Sequence, residues 1–427
     1  MTDTKPFALN VNSSVPADEN RADIAIAGAG IAGLSLAKAL ADGLGPGARI
    51  ALITRDPLSA PAGASDSRST ALAASSVRML DRLGVWAACV PFSQPVTGID
   101  ITDSSLRAGL RPILLSYDNS IASCEPASQI VPNAVLERSL TAAVAATPAI
   151  VIHKQLVVTT FAAGPHGVEI GLDASRTLTA GILIAADGRR SALRDMAGIK
   201  ITGWSYPQTG ITVTVAHDRA HGGRAVQHFL PGGPFALLPL PGNRTCITWS
   251  EDAGEARRLL ALDANAFLAE LETRVGGRLG AVRLDGPRQS WPLEMFIART
   301  FIAPRFALVG DAAHNVHPIA GQGLNLGLRD CAALCECIVD AHRLGLDMAS
   351  AAVLQRYERW RRFDTTTAAA SFDALNRLFS NDGALLRSAR EFGLGLVNRL
   401  PGLKARLVIE AAGTSGDLPR LMRGASI

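Results

Sequence analysis

The chain has 427 residues, 48% hydrophobic and only 19% charged, which is enough apolar content to bury a large core and far from the composition of a disordered protein. A formal charge of +4 is too small to argue for a nucleic-acid partner, and no run of about 18 uninterrupted apolar residues marks a membrane span. Six cysteines (Cys89, Cys124, Cys246, Cys331, Cys335, Cys337) form no CxxC pair and no disulfide framework; the apolar run CAALCECIV favours packing thiols over a zinc site.

Residues 1–21 are polar, lack a basic start followed by an apolar block, and read as a flexible lead rather than a secretion signal, which points to the cytoplasm. ADIAIAGAGIAGLSLAKALADGL then passes from an apolar strand through Gly28, Gly30 and Gly33 into an Ala/Leu helix. In a dinucleotide-binding unit the first glycine permits the tight turn, the second lets backbone approach a pyrophosphate, and the third allows close helix-to-strand packing. The second strand, ARIALIT, ends in Thr54 and Arg55, where an acidic residue normally meets the adenosine ribose. A threonine hydroxyl is a neutral partner of shorter reach.

Arg68 stands in a loop before the amphipathic stretch STALAASSVRMLDRLGVW, a natural place for a cation facing phosphate, although an arginine there is more often only solvated. A further buried strand in TAGILIAADGRRSALRDMAGI ends at Asp187 and Gly188; a ligand crevice and a capped turn both suit that pair. Between 203 and 292 short β-rich runs (TGITVTVAHD, AVQHFL, PFALLPLP, RTCITWS) alternate with Gly/Pro turns, the pattern of an antiparallel sheet inserted as a second domain.

The stretch GDAAHNVHPIAGQGLNLGLRD, residues 310–330, leaves a buried strand and enters a helix with Gly321, Gly323 and Gly327 near its start, although each glycine costs about 1 kcal/mol against alanine inside a helix. Bare glycines at a helix N-terminus let backbone N–H groups and the positive end of the dipole approach a flat, negatively charged group. His314 and His317 have the spacing of an HxxH pair, but no third ligand is identifiable, so they read as packing or supporting residues and no metal is expected.

Four separated segments (22–54, Arg68 with its helix, 182–194 and 306–330) together resemble the class A flavin-dependent aromatic monooxygenases built like para-hydroxybenzoate hydroxylase, and among them the ubiquinone-biosynthesis hydroxylases. The resemblance spans YPQTGITV, FLPGGPFALLPLP, HPIAGQGLNLGLRD, LNRLFSND, GLGLVNRLPGLK and GDLPRLMRG. It implies an α/β fold: a Rossmann-like FAD-binding domain (22–95, 120–202 and 293–345), an inserted antiparallel β-sheet substrate domain (96–119 and 203–292), and C-terminal helices (346–427). Gly28, Gly30, Ile31, Ala32 and Gly33 would cradle the FAD pyrophosphate. Thr54 and Arg55 would stand at the ribose and Arg68 beside the cofactor. Asp187 and Gly188 would lie near FAD and the reductant. Asp311 with Ala312 would bind the ribityl chain, and Pro318 to Asn325, including Gly323 and Leu324, would line the isoalloxazine ring. His317, Pro318, Gly321 and Gln322 would form the environment in which catalysis takes place.

The chemistry so implied is reduction of FAD by NAD(P)H or an electron-transfer protein, formation of a C4a-hydroperoxyflavin with O2, and hydroxylation of the ring of a polyprenyl phenol. Hydroxylation of a small soluble phenol, and a catalytically silent accessory subunit with the same fold, stand as the other readings. From Gln355 onward 12 Lys+Arg face 7 Asp+Glu. Arg387, Arg390, Arg399, Lys404 and Arg406 are interleaved with apolar residues, which suits either contact with the inner membrane surface or a multi-enzyme complex, or ordinary core-packing helices with solvated arginines.

Overall fold

The computed structural model describes residues 20–57, 68–103, 112–121, 124–173, 176–318, 321–379 and 400–427. Its first layer is a sheet whose centre is parallel. β1 (Arg21–Ala27) lies between β2 (Ile50–Thr54) and the strand Thr177–Ala185. Ile150–Lys154 extends it beyond β2, and Phe306–Leu308 extends it on the other side. The central strands read as near-continuous apolar runs because helices cover both faces, as a doubly wound sheet requires. Helix α1 (Ile31–Leu44) packs on one of them through Leu34, Leu36 and Leu40.

A second, nine-stranded sheet carries its own core, in which Phe235 and Trp249 meet Phe267 and Leu271 of a covering helix (Ala264–Val275). Its pairings among the described residues are antiparallel except one, where Arg224–Leu230 runs parallel to Gly98–Asp103. The strands Ile201–His217 and Gln289–Ala298 both belong to it, so the sheet starts before 203 and continues past 292. His314 and Asn315 add a short final strand against Ile297 and Phe296, which stitches the 310–330 stretch to this sheet. A small third sheet joins β3 (Ser69–Ala73) to Ser128–Pro132 and Gln94–Pro95, and β3 leads directly into α2 (Ala74–Arg82).

Two long helices complete the body. Gly323–Arg343 is buried along Leu328, Ala332, Cys335 and Val339 and packs against α1, and Ala351–Phe379 crosses from one sheet to the other. Tyr357 anchors the latter by donating its hydroxyl to the Leu308 carbonyl at 2.7 Å. Of the basic tail residues, Arg387, Arg390 and Arg399 fall outside the described residues. Lys404, in the helix Pro401–Ala411, donates to the Ser116 carbonyl at 3.1 Å, Arg406 is exposed, and Val408 and Ala412 pack on Ala74 and Ala127.

Candidate active site

A cleft of about 340 Å3 opens where the two sheets meet. The β1–α1 turn contributes Gly30, Ile31 and Ala32, the first sheet adds Gly188 and Asp311, Arg68 enters from the loop before β3, and the second sheet closes the far wall with Trp291 to Glu294. Pro318, Gly323 and Leu324 line its remaining end.

The three glycines of the turn divide by role. Gly28 has φ +113°, and a side chain there would fall on the Ala186 carbonyl; a side chain on Gly33 would fall on the Gly28 carbonyl. Both are required by protein packing. Gly30 is different, since a Cβ added there meets nothing within 4 Å, and it is the uncapped N-cap of α1. An open glycine at a bare helix N-terminus is a cradle for an anion. Thr54 lies at the C-terminal end of β2, buried, its hydroxyl donating to the Asp56 carbonyl at 3.1 Å; neither it nor Arg55 lines the cleft. The Asp187 carboxylate accepts from the Leu193 N–H at 3.3 Å and, with Ser191, caps the short helix Ala192–Met196. Its neighbour Arg189 bridges the two sheets, donating to the Pro292 carbonyl at 3.2 Å and lying 3.8 Å from Glu294.

Asp311 opens onto the cleft while the walls around it remove much of its hydration. That desolvation pushes its pKa up, against the pull of His314, Arg68 and Arg189. Ala312 is buried behind it, and its carbonyl accepts from Arg194 at 3.1 Å. The turn that presents Asp311 is held from below by a residue the sequence reading did not single out. Asp330 is fully buried and accepts three hydrogen bonds: the Gly310 N–H at 3.0 Å, His314 Nε2 at 2.6 Å and Arg361 Nε at 2.8 Å. Burial alone would raise its pKa, but His314 and Arg361 outweigh that and hold it below the ordinary value. An acid at the head of the apolar run DCAALC was the available signal.

Gly327 proves to be a packing residue. A Cβ on it would sit 3.1 Å from Gly310 Cα, and one on Gly310, at φ +59°, would sit 3.3 Å from the Ala32 methyl. The GD turn, α1 and the helix Gly323–Arg343 therefore cross at a single point, reinforced by the Cys331 thiol donating to the Ala32 carbonyl at 3.3 Å. Gly321 has φ +61° and turns the chain into the helix, whose N-cap Gln322 offers no side-chain cap. A second bare helix N-terminus thus opens onto the cleft, at the opposite end from α1.

Two expected ring-side residues face the protein instead. The Asn325 amide accepts from the Ala73 N–H at 2.9 Å and Ser76 Oγ at 2.8 Å, and donates to the Ala71 carbonyl at 2.9 Å and Gln322 Oε1 at 3.2 Å, pinning β3 and α2 to the long helix. Ile319 and Ala320 of the same run lie outside the described residues. His317 is buried edge-on to the Tyr206 ring, with centroids 5.1 Å apart, and burial lowers its pKa to about 4, so it is neutral at physiological pH. Beside it Met295, Val316, Leu326 and Ala369 form an apolar cluster that Tyr206 and Phe372 flank.

The sequence profile of the FAD binding domain family matches residues 21–370. The ubiquinone hydroxylase UbiL of Rhodospirillum rubrum is 42% identical over 407 residues, covering 94% of this chain and 93% of that protein. The 3-demethoxyubiquinol 3-hydroxylase of Escherichia coli is 32% identical over 400 residues, covering 92% and 98%. Among solved structures, p-nitrophenol 4-monooxygenase PnpA from Pseudomonas putida superposes with a TM-score of 0.74 at 19% identity, over 92% of this chain and 98% of that one. HpxO of Klebsiella pneumoniae, complexed with FAD and uric acid, gives 0.70 at 19% identity, over 94% and 97%. The open Gly30 at the bare N-terminus of α1, with Arg68 in the same cleft, suits the pyrophosphate of FAD, and the chain belongs to the FAD binding domain family as a class A FAD-dependent aromatic-ring hydroxylase.

Proposed function

We propose that this protein hydroxylates the aromatic ring of a polyprenyl phenol in ubiquinone biosynthesis, using FAD, O2 and a reductant such as NAD(P)H or an electron-transfer protein. The observation that carries the reading is full-length similarity to two hydroxylases named for ubiquinone and demethoxyubiquinol.

When bound, FAD supplies the reductive activation of O2. The remaining work belongs to side chains and backbone. Gly30 with the N-terminus of α1, and Arg68, would hold the pyrophosphate. Thr54 and Arg55, at the end of β2 outside the cleft lining, would stand towards the adenosine ribose, and Asp311 would accept hydrogen bonds from the ribityl hydroxyls. The bare N-terminus at Gly323 would stabilise negative charge on the ring edge, and Pro318, Leu324 and Val316 would keep water from the reacting face. Neutral His317 adds no competing positive charge.

The substrate class also bears on location. No helix among the described residues is long and apolar enough to cross a membrane. Phe363, Leu375 and Leu378 of the helix Ala351–Phe379 are exposed, with Arg359, Arg362 and Arg377 on exposed positions of the same helix, an arrangement that suits peripheral contact with the inner, anionic membrane face.

The test is the visible spectrum of the purified protein with FAD, its bleaching by NADH or NADPH without oxygen, and then the product formed from a farnesylated phenol in air. Flavin that bleaches, with gain of one oxygen by the ring, is the expected result. A flavin that bleaches while only a small soluble phenol is hydroxylated moves the substrate to the second class, and absence of flavin binding leaves the accessory-subunit reading.

A further inference from the structure

Far from the cofactor-binding glycines, the strand Ile201–His217 loses register with its neighbour Gln289–Ala298 between Ser205 and Thr209. The sequence there is SYPQT, and Pro207 has no N–H to give the ladder, so an irregularity is expected and it re-aims the side chains beside it. Both re-aimed residues meet the far end of the helix Ala351–Phe379. Tyr206 donates its hydroxyl to the Asp373 carboxylate at 2.7 Å, and Asn376 donates to Gln208 Oε1 at 3.2 Å. Asp373 is fixed in turn by Arg377 at 2.8 Å, whose guanidinium lies over the Trp204 ring at 5.2 Å. The inner edge of this unit is the Tyr206 ring against His317, one residue before Pro318 of the cleft wall.

We propose that the Tyr206–Asp373 and Gln208–Asn376 pairs form a latch that holds the helix Ala351–Phe379 against the ring end of the cleft, and that Tyr206 is a positioning residue which, through His317 and Pro318, sets the pose of the aromatic substrate and keeps water from it. The latch joins three elements that no local contact brings together, and it is built from directional hydrogen bonds at a break in a strand rather than from apolar packing alone. Neither His317 nor Tyr206 lines the cleft. Their part is to fix the wall that does, and a wall loosened by one hydroxyl admits water and lets the ring sit wrongly. The substrate side of this inference rests on the function proposed above, whereas the water-exclusion side does not.

The experiment uses the full chain loaded with FAD, as wild type, Tyr206→Phe, Asp373→Asn and Asp373→Ala. Two readouts are taken: iodide quenching of the bound flavin's fluorescence without substrate, and, with a farnesylated phenol, KM together with the fraction of reductant that ends as hydrogen peroxide. Tyr206→Phe and Asp373→Ala are expected to retain flavin, to be quenched several-fold more strongly, and to show KM raised about tenfold, the scale of one lost hydrogen bond, with a larger peroxide fraction. Asp373→Asn keeps an acceptor oxygen for Tyr206 and should stay near wild type. Quenching and coupling unchanged in Tyr206→Phe overturn the latch, as does a loss of flavin equal in all three variants, which would mark a purely structural site. If the wild type fails to hydroxylate the farnesylated phenol, the substrate reading falls, and the quenching comparison decides the latch by itself.

Discussion

Replacing Asp330 by asparagine is the most informative single perturbation of the site. The carboxylate satisfies three donors with two oxygens, and an amide keeps only one of those oxygens. If the amide oxygen faces Gly310 and His314, its NH2 group confronts Arg361 Nε; if it faces Arg361, the NH2 group confronts the other two donors. At least one buried donor is orphaned, at about 1–3 kcal/mol, and Arg361, with no exposed surface, keeps only Asp364, 2.9 Å away, as a charged partner. Removing one member of a buried ion pair costs about 3–5 kcal/mol. With an unfolding entropy near 2.1 cal/mol/K per residue, 427 residues give roughly 0.9 kcal/mol/K, so Tm should fall by about 3–6 °C. Because the Gly310 N–H is one of the donors, the turn carrying Asp311 loosens as well, and FAD affinity should fall about tenfold. Calorimetry and a flavin titration measure the two effects. An Asp330→Asn protein that melts within 1 °C of wild type and holds FAD as tightly would refute the assignment of Asp330 as the support of that turn.

Gly30→Ala should leave Tm within about 1 °C, since the added methyl meets no protein atom, yet abolish flavin retention; normal FAD content would remove Gly30 from the pyrophosphate site. Gly327→Ala gains up to about 1 kcal/mol of helix propensity but forces a methyl to 3.1 Å from Gly310 Cα, so a net destabilisation of about 1–2 kcal/mol is expected by denaturant titration, and a stabilised variant would sink the three-way crossing. Thr54→Glu should tighten FAD severalfold in a binding titration by supplying a charged acceptor for the ribose; weaker binding would place the ribose elsewhere. The folded-state pKa of His317 lies below its unfolded value, so its contribution to stability is complete above about pH 6.5 and is lost as pH falls towards about 4, on the order of 3 kcal/mol in all. His317→Gln should flatten that part of a stability–pH curve, and an unaltered slope would show that another group titrates there.

What the sequence disclosed and what it hid divide along the distance between partners. Gly28, Gly30 and Gly33 were legible as a strand–turn–helix because their work is done within a few residues, and the packing constraint at Gly28 and Gly33 is local to the turn and its neighbouring strand. The apolar strands and the β-rich insertion were legible by pattern, although the parallel pairing of Arg224–Leu230 with Gly98–Asp103 was not, because nothing in either strand encodes the direction of its neighbour. Asp330 with Arg361, and Tyr206 with Asp373, were invisible as pairs: each is a polar residue whose partner arrives from another element. Asn325 was seen, but it was read as facing the flavin because it shares a run with residues that line the cleft. A helix presents successive residues about 100° apart, so adjacency in a motif does not place two side chains on one surface.

The crossing of Gly310, Gly327 and Ala32 has a consequence for which cofactors the protein can discriminate. Ala32 is the second residue of α1, whose start is proposed to hold the pyrophosphate, Gly310 precedes the acid proposed for the ribityl chain, and Gly327 sits four residues into the helix whose start is proposed to meet the ring. Since no side chain larger than the Ala32 methyl stands between the three, the spacing between those stations is set by close contact and has little room to stretch to suit a ligand. The fold acts as a fixed-length gauge. On the proposed seating, a flavin mononucleotide lacks the adenylate that reaches past the β1–α1 turn, and neither helix can move to recover the missing contact, so selection for the full dinucleotide follows from the rigidity of one contact point rather than from any side chain that recognises adenine.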